Sequence, residues 1–144
     1  MSAYRRVEIE FKDEAALVAA LNDWCRANGA ELESAQGSEL ELVGYAGKGR
    51  GLFAKYVIRH EDFNRASNDL GFAQREDGSF DVIISEYDSY GSGFGRTKGH
   101  DILEYAKQRY SYHRAVAHAS AKGFMVQEQV LSDGTIKLEL VRTY

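Results

Sequence analysis

Two glycine-rich stretches carry the residues whose types and spacing could do chemistry. The first runs from Asp81 to Asp101 and reads as a strand, a loop and a helix start. Gly91, Gly93, Gly95 and Gly99 free its backbone, while Arg96, Lys98 and His100 stand near the first turn of the helix that follows. Exposed amides at a helix start attract anions, so a phosphorylated ligand is one candidate here. The loop is not of the Walker type, and Arg96 occupies the place of the last glycine in a GxGxxG pattern. Asp101 also places a carboxylate where a phosphate would sit. The competing reading is a surface loop that touches a partner, with Tyr87, Tyr90 and Phe94 as its contacts.

The second stretch, Gly44-Tyr45-Ala46-Gly47-Lys48-Gly49-Arg50-Gly51, is a basic turn. With Lys55, Arg59, His60, Arg96, Lys98, Lys107, Arg109 and Arg114 it would give an acidic protein one positive face. Tyr45, Tyr56, Tyr110 and Tyr112 could stack on bases, as in single-strand binders. Lys48, Arg50, Arg96, Lys98 and Arg109 are therefore the residues expected to touch nucleic acid or a phosphorylated ligand. The alternative is that these charges only keep the domain solvated.

A catalytic cluster has less to recommend it. His113 and His118 are five apart and do not share a helical face, so there is no HExxH metal pattern. Cys25 reads as a small buried hydrophobe, His113 as a core histidine, and nothing pairs Asp81 with Glu86. No catalytic residue, metal ligand or cofactor is expected.

These residues are positioned by nine segments. Val7, Ile9 and Phe11 alternate with Glu8 and Glu10 in a half-buried strand. Asp13 caps a helix running to Asn28, with Leu17, Ala20, Leu21 and Trp24 on one face and Gly29 as its stop. Extended segments follow around Leu40 and Leu42, over Leu52 to His60, over Leu70 to Gln74 and over Phe80 to Tyr87. After the 88–99 loop, a helix from His100 to Lys122 ends at Gly123. Two strands around Ser132-Asp133-Gly134 complete the chain, with at least one face of that hairpin buried. The order β-α-β-β-β-β-α-β-β predicts an α+β two-layer sandwich: a mostly antiparallel sheet with both helices on one face, leaving the other face open.

At 144 residues, with 44% hydrophobic and 28% charged residues, the chain reads as a single globular domain. A net charge of −4 argues against a dedicated duplex-DNA binder. No apolar run approaches the ~20 residues that span a bilayer. One cysteine and no apolar signal region point to a reducing cytoplasm. Nine tyrosines and seven phenylalanines exceed the needs of a small core, and tyrosine is enriched at interfaces.

Gln108-Arg109-Tyr110-Ser111-Tyr112-His113, then Lys122-Gly123-Phe124-Met125-Val126-Gln127-Glu128, then Asp133-Gly134-Thr135-Ile136-Lys137-Leu138 resembles the Ycf35 family, also called DUF1257. That family has a QRYAY-type helix, a QGF-type stop and a DGSIRL-type hairpin, and members occur in plastids, cyanobacteria, other bacteria and phages. This chain departs from it in the Tyr87–Gly95 segment, where members carry a tryptophan, and in ending Arg142-Thr143-Tyr144 rather than Arg-Trp. The resemblance implies a fold and a lineage but no activity, cofactor or catalytic residue. Genes of the family are sometimes seen beside AAA-type ATPases, so the resemblance implies an adaptor or regulatory subunit.

The expectation that follows is a cytoplasmic, non-catalytic adaptor or assembly subunit. It would bind a protein partner or form a homo-oligomer, an AAA-type ATPase being one such partner. The runner-up binds nucleic acid or a phosphorylated ligand at the 44–51 and 91–99 loops.

Overall fold

A computed structural model describes residues 4–89 and 98–142, side chains at 8–10, 87, 89 and 98 excepted. Among them are nine strands, β1 (Tyr4–Phe11), β2 (Leu32–Ser34), β3 (Leu40–Val43), β4 (Gly49–Ala54), β5 (Tyr56–Ile58), β6 (Leu70–Gln74), β7 (Phe80–Ser85), β8 (Phe124–Val130) and β9 (Ile136–Arg142). The helices are α1 (Glu14–Asn28), the one-turn α2 (Glu86–Ser89) and α3 (Lys98–Ala121), with a 3-10 turn at His60–Asp62. None of these helices is long and apolar enough to cross a membrane.

Asp13 opens α1 as expected, its carboxylate accepting from the Ala16 amide at 3.1 Å. Gly29 closes it in the left-handed conformation, φ 64°. Five strands form one sheet in the order β1-β7-β6-β5-β2, with antiparallel neighbours throughout. Strand alternation then sorts the side chains. Phe80, Val82 and Ile84 of β7, Leu70 and Phe72 of β6, and Tyr56 and Ile58 of β5 point to one face, where α1 and α3 cover them. Leu17, Ala20, Leu21 and Trp24 of α1 and Ile102, Leu103, Ala106 and Tyr110 of α3 complete this core. The α+β class, the antiparallel sheet and the placing of both helices on one face agree with the sequence.

The expectation of an open sheet face is corrected. Among the described residues, β3 and β4 pair only with each other, and they form a ribbon over that face, where Leu42 and Ala54 meet Val57, Ala73 and Ile83 in a second buried cluster. The close approach falls at Gly71: a Cβ there would lie 2.8 Å from Leu42 Cδ2 and 3.1 Å from Ala54 Cβ. The ribbon also explains why the strand expected over Leu52 to His60 divides. At Lys55 the chain leaves the ribbon for the sheet, the Lys55 amide donating to Phe72 and its carbonyl accepting from Ala35. The strand expected to reach Tyr87 ends at Ser85, where α2 begins.

Candidate functional site

The QRYSYH stretch of α3 acts first as scaffold. The Tyr110 hydroxyl accepts from the amides of Lys12 and Asp13, each at 2.9 Å, and the ring meets Phe11 edge to face at 4.9 Å. Tyr110 thereby fixes the turn from β1 into α1. Arg109 and His113 lie one turn apart on the same side of the helix and converge on Asp23 of α1. Arg109 Nε donates to Asp23 Oδ2 at 3.0 Å, and His113 Nε2 lies 2.6 Å from the same oxygen. Arg26 donates to Asp23 Oδ1 at 2.5 Å. Burial pushes the Asp23 carboxyl up, but the His113 and Arg109 hydrogen bonds outweigh that and hold it below its ordinary value. Arg109 Nη1 also donates to Glu128 of β8, at 3.2 and 3.3 Å to its two oxygens, and the guanidinium stacks on Tyr112 at 4.1 Å. One guanidinium thus ties α1, α3 and the final hairpin together.

The hairpin that this clamp anchors is in continuous antiparallel register, from Phe124 opposite Arg142 to Val130 opposite Ile136. Directly opposed residues share a face. Phe124, Val126 and Val130 therefore stand with Ile136, Leu138 and Leu140 on one side, together with Glu128 and Arg142. Because Glu128 reaches Arg109, this is the side turned toward α3. The fold does not fill it. No residue of β8 or β9 is buried, and Val130 and Leu140 are 66% and 59% exposed. β8 packs along α3, while β9 packs along β8. The expectation that one face of the hairpin is buried is corrected: alternation marks a face that needs cover, and this chain half-buries Phe124, Val126 and Ile136 but leaves Val130, Leu138 and Leu140 exposed.

The cations grouped by sequence are dispersed. Lys48 is exposed at the tip of the β3–β4 ribbon, where Gly47 takes φ 78° to make the turn. Arg50 leans back over the Tyr4 ring at 5.6 Å. Arg59 donates to Glu33 and Asp69, at 2.8 and 2.7 Å; its hydrogen bond to Glu33 is the largest influence raising its pKa, and Asp69 adds to it. Arg109 is committed to Asp23 and Glu128. Tyr90, Phe94 and Arg96 lie outside the described residues, as do the side chains of Tyr87 and Lys98. At the first turn of α3, a Cβ on Gly99 would fall 2.5 Å from the carboxyl carbon of buried Asp88, so an internal carboxylate already stands against that helix start.

Sequence reasoning missed the buried polar groups. Asp69, fully buried, accepts from the Val43 amide at 2.8 Å, the His60 amide at 2.9 Å and Arg59, and its Oδ1 lies 2.6 Å from His60 Nδ1. Asn68 accepts from the Tyr45 amide at 3.1 Å. These residues fasten the ribbon to the loop before β6. His60, Glu61 and Asp69 are close enough together to suggest a metal centre. However, two ligands of a tetrahedral zinc at ~2 Å stand roughly 3.3 Å apart, wider than the His60–Asp69 spacing, and Arg59 already supplies the positive charge. The group is a strut. Ser67 and Ser85 likewise bind buried Asp88, Ser85 at 2.9 Å. The signal for both sets was Ser67-Asn68-Asp69, a polar run set directly against an apolar strand.

The protein is thus an α+β sandwich with a covered sheet and a partly exposed, apolar C-terminal hairpin. The chain belongs to the DUF1257 family of proteins of unknown function, whose family model matches residues 29–139. No curated protein and no solved structure matches it.

Proposed function

We propose that the protein is a non-catalytic adaptor or assembly subunit of the cytoplasm that docks a protein partner on the apolar face of the β8–β9 hairpin. The observation that carries this reading is the bare face itself. An isolated two-stranded hairpin is marginally stable in water, and a contiguous apolar patch on a soluble domain commonly marks an interaction site. The Arg109 clamp holds the hairpin in a fixed pose, which lowers the entropic cost of docking. Genes of Ycf35-like proteins sometimes stand beside those of AAA-type ATPases, which makes such an ATPase the candidate partner. Phosphate or nucleic-acid binding has less support, since Arg50, Arg59 and Arg109 are each engaged within the fold.

Quantitative co-purification from native lysate, with and without nuclease, tests the reading, with wild type compared against Val130→Ser combined with Leu140→Ser. A stoichiometric protein partner should be retained by the wild type and depleted about tenfold or more by the variant, as expected when two apolar anchors are truncated. Recovery of nucleic acid instead, with partners lost after nuclease, would put the runner-up in its place.

A further inference from the structure

The hairpin has a free edge as well as a bare face, and the edge specifies its own occupant. β9 pairs with β8 along one side, and no strand among the described residues pairs with its other side. Its register is unbroken over seven residue pairs, and it contains neither proline nor glycine. A regular exposed edge of this kind is a template for strand addition.

The backbone parity of that edge follows from the turn. The Leu131 amide donates to the Thr135 carbonyl at 2.8 Å, which makes Leu131 and Thr135 a hydrogen-bonded pair. Hydrogen-bonded and non-hydrogen-bonded pairs alternate along an antiparallel ladder. Lys137, Glu139 and Val141 therefore spend their backbone groups on β8, whereas Ile136, Leu138 and Leu140 turn theirs outward. The outward residues are the apolar ones.

We infer that β9 pairs antiparallel with β9 of a second copy about a two-fold axis at Leu138, giving the four-stranded sheet β8-β9-β9-β8. The sequence Ile136-Lys137-Leu138-Glu139-Leu140 is self-complementary in this register. Leu138 meets its own counterpart, Ile136 meets Leu140 of the second copy, and Lys137 meets Glu139 of the second copy on the opposite face. A two-fold contact repeats each pairing, so both charges of each copy find an opposite charge. Within its own hairpin Lys137 faces Gln129 and Glu139 faces Gln127, so neither charge has its complement across β8. The three outward residues of each strand form about six hydrogen bonds across the axis. The two apolar faces then lie on the same side of one sheet, and the docking face proposed above is doubled. This inference rests on that reading in taking the hairpin as a free surface, and it adds the occupant of the edge.

Sedimentation equilibrium of the 144-residue chain over the micromolar range tests it, using wild type, Lys137→Glu, Glu139→Lys and the double exchange. A dimer is expected for the wild type. Each single reversal places like charges opposite one another twice and should weaken the dimer about tenfold; the double exchange should restore it. Because both positions face glutamines within the hairpin, the single variants should keep the wild-type melting temperature when compared at concentrations where both are monomeric. A monomer throughout, or a dimer indifferent to the single reversals, or no recovery in the double exchange, would overturn the inference. Val130 lies on β8, outside the new strand pair, so Val130→Ser separates the two claims. Lost partner capture with an intact dimer confirms the edge pairing and the face together. Partner capture that survives in a strictly monomeric protein removes the edge pairing alone, whereas a dimer that captures no partner removes only the docking reading.

Discussion

Asp69 shows most clearly how single residues hold this fold. Its carboxylate is fully buried and satisfies two backbone amides, while Arg59 and His60 stand against it. Removing one partner of a buried charged pair leaves the other uncompensated, at a cost of about 3–5 kcal/mol. Asp69→Ala should lose that much in urea unfolding, and a loss below about 1 kcal/mol would show that the strut is dispensable. Asp23 and Asp81 give a pH signature. Burial raises both carboxyls, but hydrogen bonds from His113 and Arg109 to the first, and from Arg75 and Arg6 to the second, bring them below their ordinary values. A carboxylate lowered on folding stabilises the protein above its unfolded pKa, about 4, and that contribution is lost as pH falls through the folded value. Stability should therefore decline below about pH 4, with a shallower slope in Asp23→Asn; an unchanged slope would assign the acid lability elsewhere. Little of this was legible in the sequence. Arg59, His60 and Arg109 read as one basic face because their carboxylate partners Glu33, Asp69, Asp23 and Glu128 come from other elements, where no local spacing reveals them.

The sequence served better for elements. The cap at Asp13, the stop at Gly29, strands β6 and β7 and the final hairpin all lie where propensity, capping and turn chemistry put them. The missed feature was the β3–β4 ribbon, because an apolar run such as Leu52 to His60 does not say which sheet each half joins. Gly71 records that packing. Gly71→Ala should cost about 1–3 kcal/mol through overpacking against Leu42 and Ala54, readable as a lowered denaturation midpoint. The two apolar surfaces should also respond differently. Leu42→Ala, in the covered cluster, should cost about 2–5 kcal/mol. Val130→Ser, on the bare hairpin, should stay within about 0.5 kcal/mol for the isolated chain. A large loss at Val130 would mean that the face is covered within the molecule after all.

At the scale of the whole molecule, apolar side chains are allocated twice over. Two clusters sandwich the five-stranded sheet, and a third set, on β8 and β9, is displayed. A domain with a sufficient core has no folding reason to display it, which is the ground for the proposal that the hairpin serves recognition. The same hairpin carries much of the family resemblance visible in the sequence, and the family match extends through Glu139. Hydrogen exchange of the 144-residue protein, alone and with its co-purified partner, tests this proposal most directly. Added protection is expected to concentrate in 124–142 and to leave the 44–51 turn unchanged. Protection confined to that turn, with the hairpin amides exchanging as in the free protein, would contradict it.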